Sequence, residues 1–297
     1  MKNLYTPLDN FFFFKVMGEK GDEVQLLGFI NAVLNRTGDN RFNSVEILEN
    51  KTFTGEVKGD KSNTLDVRAI LQDSTRTNIE VQLRNQHNMG RRSLFYWSRE
   101  YARSLGEGQD YCELPNALAI NIVNFNFPPV KEIHTSFHLR EDRHRDYVLT
   151  DALEIHFLNM VQYRKQARQK VNLEDPLNRW MVWLNKRSPP ELIAEVVKMD
   201  AAIQAANDRM VYVTGDKDAI WAYERYQMAL SDRTSEMNYA RDVATKRGMR
   251  KGMKKGIKEG RSEEKLEIAR KMKIAGRPLS EIEEFTGLPL DAIEKLN

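Results

Sequence analysis

The feature that most constrains this chain is a pair of alternating segments separated by a polar turn. Thr64 to Leu71 puts Leu65, Val67, Ala69 and Leu71 on one side, and Thr77 to Leu83 does the same with Ile79, Val81 and Leu83. Strand side chains alternate between faces with a period of two, so each segment suits a strand with one apolar face. Between them, Gln72-Asp73-Ser74-Thr75-Arg76 is a cluster of turn formers, and the three parts together predict a hairpin. The opposite faces carry Asp66 on the first arm, and Glu80 and Gln82 on the second. With the turn centred near Ser74, Asp66 faces Gln82 and lies diagonal to Glu80, roughly 7–8 Å away. A slip of one residue would send these side chains to the other face.

Two carboxylates at that separation can lean together on one divalent cation. Phosphodiester hydrolysis needs a nucleophilic water and neutralisation of charge building on phosphate oxygens, and a Mg²⁺ or Mn²⁺ ion held by carboxylates supplies both. Gln82 shares the face of Glu80, where its amide could hold the attacking water. Being a neutral amide, it cannot take the proton. On pattern alone, the plainer account of these residues is a hairpin whose open face is simply solvated.

Composition narrows the setting. The chain has 297 residues, 41% hydrophobic and 30% charged, enough for a sizeable core in one or two domains. No run approaches the ~18 apolar residues of a membrane span. The first residues lack the apolar stretch of a signal peptide, and Phe11-Phe12-Phe13-Phe14 is too short to supply one. The single cysteine, Cys112, excludes an intramolecular disulfide and a multi-cysteine zinc site, and fits a reducing cytoplasm. Five histidines form no sequence cluster: His134 and His138 share a short segment, whereas His144 and His156 stand apart.

Four stretches follow from the patterns: a mixed α/β region over residues 1–170, a helical region over 171–245, a basic glycine repeat over 246–261 and a small helical tail over 262–297. Within the first, Asn88 to Leu105 reads as an amphipathic helix, with Leu94, Trp97, Tyr101 and Leu105 as its buried stripe. Arg92, Arg99 and Arg103 fall on another face. With Arg84 just beyond the second hairpin arm, they are candidate phosphate contacts that would position nucleic acid without reading bases. The alternative is a solvated arginine face pairing with Glu100 and Glu107.

Residues 246–261 hold eight basic side chains against one acid, Glu259, a net +7 in a chain whose total is +3. Lys251, Lys254 and Lys255 are its candidate phosphate contacts. Gly248, Gly252, Gly256 and Gly260 recur every fourth residue, and glycine costs a helix roughly 1 kcal/mol per position relative to alanine. The stretch is therefore a partner-stabilised helix, a flexible linker that follows phosphates, or a plain solvated connector. Beyond it, a helix ends at Gly276, Ser280-Glu281-Ile282-Glu283 matches a capping box, and a turn at Phe285-Thr286-Gly287 leads to a last short helix. That layout suits a helix-turn-helix unit, though Asp291 and Glu294 favour docking or dimerisation over groove reading.

The segments Leu65-Asp66-Val67-Arg68-Ala69 and Ile79-Glu80-Val81-Gln82, with the spacing between them, resemble the core of the PD-(D/E)XK family transposases, also called recombination-promoting nucleases. Similarity continues through Asn85 to Tyr101, Gly108 to Tyr111, Ala119 to Val123 and Thr150 to Phe157, and earlier through Phe14 to Gly18 and Leu26 to Asn31. The resemblance implies a restriction-endonuclease-like α/β fold, a mixed sheet flanked by helices. It implies Asp66 and Glu80 as ligands of Mg²⁺ or Mn²⁺, joined by the backbone carbonyl of Val81, with Gln82 positioning water. It also implies DNA as partner, with a homodimer as one way to cut both strands, and a setting of recombination or mobile elements. Two departures stand out: relatives often carry Asp near Asn10, where this chain has Asp9, and Leu158-Asn159-Met160-Val161-Gln162 replaces a usual Glu-Leu-Pro-Lys. Glu23 is the candidate for an additional acid from an early helix, against the alternative of a solvated charge. A DNA-binding or assembly protein that kept the fold without much catalysis is the rival reading.

Overall fold

In the computed structural model, which describes residues 5–21, 23–48, 66–168 and 171–296, the alternating segments become strands of one six-stranded mixed sheet. The strands are β1 (Val45–Ile47), β2 (Val67–Leu71), β3 (Arg76–Gln82), β4 (Ala117–Val123), β5 (His134–Arg140) and β6 (Val148–Asn159), in the spatial order β1-β2-β3-β4-β6-β5. β1, β2 and β3 run antiparallel, β3, β4 and β6 run parallel, and β5 returns antiparallel along the outside of β6. The parallel step from β3 to β4 needs a crossover, which one helix provides.

The helices are α1 (Asn10–Met17), α2 (Val24–Val33), α3 (Met89–Ala102), α4 (Met160–Gln166), α5 (Pro176–Leu184), α6 (Pro190–Met199), α7 (Ala201–Gly215), α8 (Lys217–Ile274), α9 (Leu279–Thr286) and α10 (Leu290–Glu294). Two compact units divide the chain after Gln227, within α8. Residues 171–227 belong to the same unit as the sheet.

In the first unit, one face of the sheet carries the main core. Val67, Ala69 and Leu71 of β2, Ile79 and Val81 of β3, and Leu118, Ile120 and Ile122 of β4 meet α2, α5 and α7 there. The phenylalanine run is core: Phe13 joins this cluster, while Phe11 and Phe12 pack against Val213, Tyr223 and Tyr226. Where α2 crosses α7, a Cβ on Gly28 would collide with the Cβ of Ala202, so the helices approach this closely only with glycine there. The departure at Leu158-Asn159 marks the end of β6, where the Asn159 side chain caps α4 by accepting from the backbone N–H of Val161 and Gln162.

The other face is covered by α3 and is far more polar. Its buried residues include Asn78, Glu80 and Asn121 on the strands and Ser93 and Glu100 on the helix. The expected apolar stripe of α3 is buried only in part: Trp97 packs against Met89, Ala119, Val123, Ile155 and Phe157, but the stripe as a whole does not face the sheet. Leu94 is 49% exposed, and Trp97 and Tyr101 stack on each other half-buried. A helix laid on a charged surface turns polar side chains towards it, which an apolar periodicity count misses.

In the second unit, α8 continues through all four repeat glycines, each with open space where a Cβ would be. Ala269 of α8, Ile282 of α9 and Ile293 of α10 form a small core with Met272, Leu279, Leu288 and Leu296 around it. The expected capping box at Ser280 does not form, because α9 already starts at Leu279 behind Pro278, placing Ser280 inside the helix. Gly287 ends α9 in the left-handed region at φ 64°, as the turn reading required.

Candidate active site

The hairpin register differs from the sequence expectation by one step of two residues. β2 and β3 pair Val67 with Ile79 and Ala69 with Thr77. Continued one residue further, this register sets Asp66 across from Glu80 rather than Gln82. The turn is tight: the Ser74 N–H donates to the Leu71 carbonyl at 2.9 Å, the Leu71 N–H donates to the Thr75 carbonyl at 2.9 Å, and Ser74 takes φ 67°. A shift of two preserves the faces, so Asp66, Glu80 and Gln82 still share one side. Thr64 and Leu65, the start of the first arm, lie outside the described residues.

Both acids are buried beneath α3, Asp66 at 8% and Glu80 at 2% exposure, so the face is not an open solvated one. Glu80 Oε1 accepts from Arg92 Nε at 2.7 Å and also from Arg92 Nη2, while Oε2 is buried with no hydrogen-bond partner among the described residues. Burial pushes the Glu80 carboxyl above the ordinary range, and the hydrogen bond and charge of Arg92 work against that rise. Arg92 itself loses from burial but is held charged by Glu80, with Asp66 also contributing attraction. The guanidinium therefore stands in the field of both acids. Beside Glu80 in the parallel register lies Asn121, whose Oδ1 accepts from Ser93 Oγ at 3.0 Å and whose Nδ2 donates to the His156 carbonyl at 3.1 Å. That network ties α3 to β4 and β6 next to the acids.

Val81 keeps its side chain in the main core. The Gln82 carbonyl accepts from Asn124 N on the β4 side, so alternation aims the Val81 carbonyl the other way, towards β2 and the entry of Asp66. Gln82 is half-buried, and its Nε2 donates to the Arg84 carbonyl at 3.0 Å, which commits one amide proton.

The arginines separate. Arg92 turns inward to Glu80, with its guanidinium 5.1 Å from the Tyr96 ring centre. Arg84 is exposed, Arg99 is half-buried in the last turn of α3, and Arg103 is exposed just past it. Glu100 pairs with neither Arg99 nor Arg103 but with Arg68 of β2, through Nε–Oε1 and Nη2–Oε2 contacts of 2.7 Å each. Lys251, Lys254 and Lys255 are exposed on α8 in the second unit, and Lys255 lies 3.5 Å from Glu259.

Residues from distant parts of the chain also reach this region. Asp9 caps α1 by accepting from Phe11 N at 3.0 Å, and its carboxyl is raised, chiefly by burial. The Tyr226 phenol is pushed up to about 12 by burial and then by the charges of Asp9, Tyr223 and Asp66. No local pattern could link Tyr226 to acids more than a hundred residues earlier. Glu23 is instead engaged locally, accepting from Gly21 N at 2.9 Å. On the opposite face of the sheet, His134 Nε2 lies 2.7 Å from His156 Nδ1 with the rings stacked, so His156 is not isolated. Burial, and then His156, depress His134 to about 4.

Among the described residues, no group of three or more His, Cys, Asp or Glu side chains is arranged to hold a metal ion. The donors at Asp66 and Glu80 nevertheless fit a hard divalent cation. They are carboxylate oxygens beside a backbone carbonyl, and one of them, Glu80 Oε2, is buried without a hydrogen-bond partner among the described residues. Among the described residues, no helix is long and apolar enough to cross a membrane. No curated protein and no solved structure matches the chain. The model of the PD-(D/E)XK nuclease family transposases matches residues 7–240. With a mixed six-stranded sheet flanked by helices, a restriction-endonuclease-like architecture, the chain belongs to the PD-(D/E)XK nuclease family transposases.

Proposed function

We propose that the chain is a metal-dependent DNA endonuclease that hydrolyses phosphodiester bonds in recombination or at mobile elements. The observation that carries this reading is the buried Oε2 of Glu80, without a hydrogen-bond partner among the described residues, on the strand position that the register sets across from Asp66. Buried carboxylate oxygens are costly unless something positive meets them. Asp66, Glu80 and the Val81 carbonyl would hold Mg²⁺ or Mn²⁺, which supplies charge neutralisation at the phosphate and a water of lowered pKa.

The chain's own residues do the rest. The Asn121–Ser93 hydrogen bond fixes α3 against β4 beside Glu80, which keeps the carboxylate pair in place and excludes bulk water. Gln82 offers an amide dipole to orient a water, and cannot act as its base. Arg84, Arg99 and Arg103 meet backbone phosphates around the scissile bond. Lys251, Lys254 and Lys255 add a sequence-independent, salt-sensitive attraction. Cleavage of both strands calls for two such sites, and a homodimer supplies them.

The test is plasmid cleavage by purified protein with Mg²⁺, with Mn²⁺ or with EDTA, against Asp66→Ala and Glu80→Ala. Cleavage should require the ion and fall at least about 100-fold in each variant, beyond the usual cost of losing a group that only supports a metal ligand. Nicking that survives both substitutions overturns the assignment. The rival reading, a DNA-binding or assembly protein that retains the fold, draws on the neutralisation of Glu80 by Arg92. It predicts ion-independent DNA retention with no cleavage under any ion.

A further inference from the structure

We infer that Arg92 is a resident counter-ion that a divalent cation must displace from Glu80, so that filling the site frees the guanidinium to grip the DNA backbone. This rests on the reading of Asp66 and Glu80 as ion ligands. Two half-buried arginine–glutamate pairs link α3 to the sheet, and they are built differently. Arg68 and Glu100 form a fork, each carboxylate oxygen taking one N–H at 2.7 Å. Arg92 directs both of its N–H bonds to Glu80 Oε1 and leaves Oε2 with none. A guanidinium meets a carboxylate best through two parallel bonds. The Arg68 pair takes that form, and the Arg92 pair does not. Among the described residues, Glu80 is thus neutralised without being satisfied.

The surroundings allow an exchange. The Arg92 side chain is 20% exposed while Glu80 is at 2%, so the arginine reaches in from the rim and has a way out. The Tyr96 ring, 5.1 Å from the guanidinium, gives the cation an aromatic surface beside that exit. A divalent ion drawing on Glu80 and Asp66 would stand within a few ångströms of the guanidinium. Like charges at that separation in a partly buried site repel by several kcal/mol at an effective dielectric of roughly 20. Oε2 is open to the ion while Arg92 holds Oε1, so this repulsion, and not competition for one oxygen, drives the guanidinium off. Once released, the five N–H donors of Arg92 suit a phosphate better than a lysine would. Ion binding and DNA binding are therefore coupled through one side chain, and neither cation leaves the acid bare.

The experiment titrates Mn²⁺ into the full-length, metal-free protein by calorimetry, comparing wild type with Arg92→Gln and Glu80→Gln. Removing the competitor should tighten Mn²⁺ on the order of tenfold, the scale of weakening a rim-exposed rather than a fully enclosed pair. The rise in Tm on adding Mn²⁺ should be larger in Arg92→Gln than in wild type. In Ca²⁺ buffer, the gain in duplex DNA affinity on adding the ion should be lost in the same variant. Equal or weaker Mn²⁺ affinity in Arg92→Gln overturns the inference and leaves the ion site standing. If wild type shows no Mn²⁺ binding that Glu80→Gln removes, the ion site itself fails. Should Arg92→Gln not fold without the ion, the Arg92 Nε–H resonance of wild type decides: a signal unmoved by saturating Mg²⁺ overturns the displacement.

Discussion

The charges beneath α3 and the charges along residues 246–261 of α8 make opposite use of the same residue types. Under α3, Arg68, Glu80, Arg92 and Glu100 are buried or half-buried, and each has a partner at hydrogen-bond distance. Along α8 the lysines and arginines are exposed, and the glycines between them have open space around them. Charge count alone would point to the second region. The first is where geometry constrains what the charges can do, because a buried charge must be met and an exposed one is met by water. The same holds for glycine, which is forced at the α2–α7 crossing and unforced in the repeat.

That contrast can be broken by substitution. The largest effect on folding is expected from Arg68→Ala, which strands Glu100 at 6% exposure without its fork. It should cost about 2–4 kcal/mol in urea unfolding. Next, Gly28→Ala should cost about 1–3 kcal/mol, since the new Cβ collides with that of Ala202 and two helix backbones must move apart. Joint substitution of Lys251, Lys254 and Lys255 by Gln should leave the unfolding midpoint unchanged. It should reduce the salt dependence of DNA retention, with the log–log slope falling by about 0.9 for each phosphate no longer neutralised. The smallest effect has the opposite sign: Gly256→Ala should stabilise the second unit by up to about 1 kcal/mol, because nothing lies within 4 Å of the added Cβ. A destabilising Gly256→Ala would mean that another surface sits on the repeat.

Much of the fold is legible because alternation is a strong signal. The arms around residues 66–83 and the strand at Ala119–Val123 form as their patterns suggest. Periodicity assigns faces, however, and leaves register to the turn. The left-handed Ser74 moves Asp66 from opposite Gln82 to opposite Glu80 without changing its side. The helix over Asn88–Leu105 is legible as a helix but not as to its buried side. The surface beneath it includes Arg68, Glu80 and Asn121 beside a small apolar cluster, and no property of the helix alone reveals that. Spacing sets Arg92 in an outward row, since a sequence records that a residue is basic and not which acid lies below it. Tyr226, Asp9 and the His134–His156 pair are illegible for a simpler reason: each depends on chain segments brought together from far apart.

The partners of the buried acids come from close by in the chain. Glu80 meets Arg92 twelve residues later, and Arg68 meets Glu100 thirty-two residues later, all within β2, β3 and α3. Pairings of such short separation form early and at low loop-closure cost. As the chain leaves the ribosome, the hairpin and its helix can balance their own charges before β4 exists to bury them. Residues 66–100 thus form a segment that carries its acids and their neutralising bases as one inheritance, and an exchange between relatives that split it would separate an acid from the cation that makes its burial tolerable.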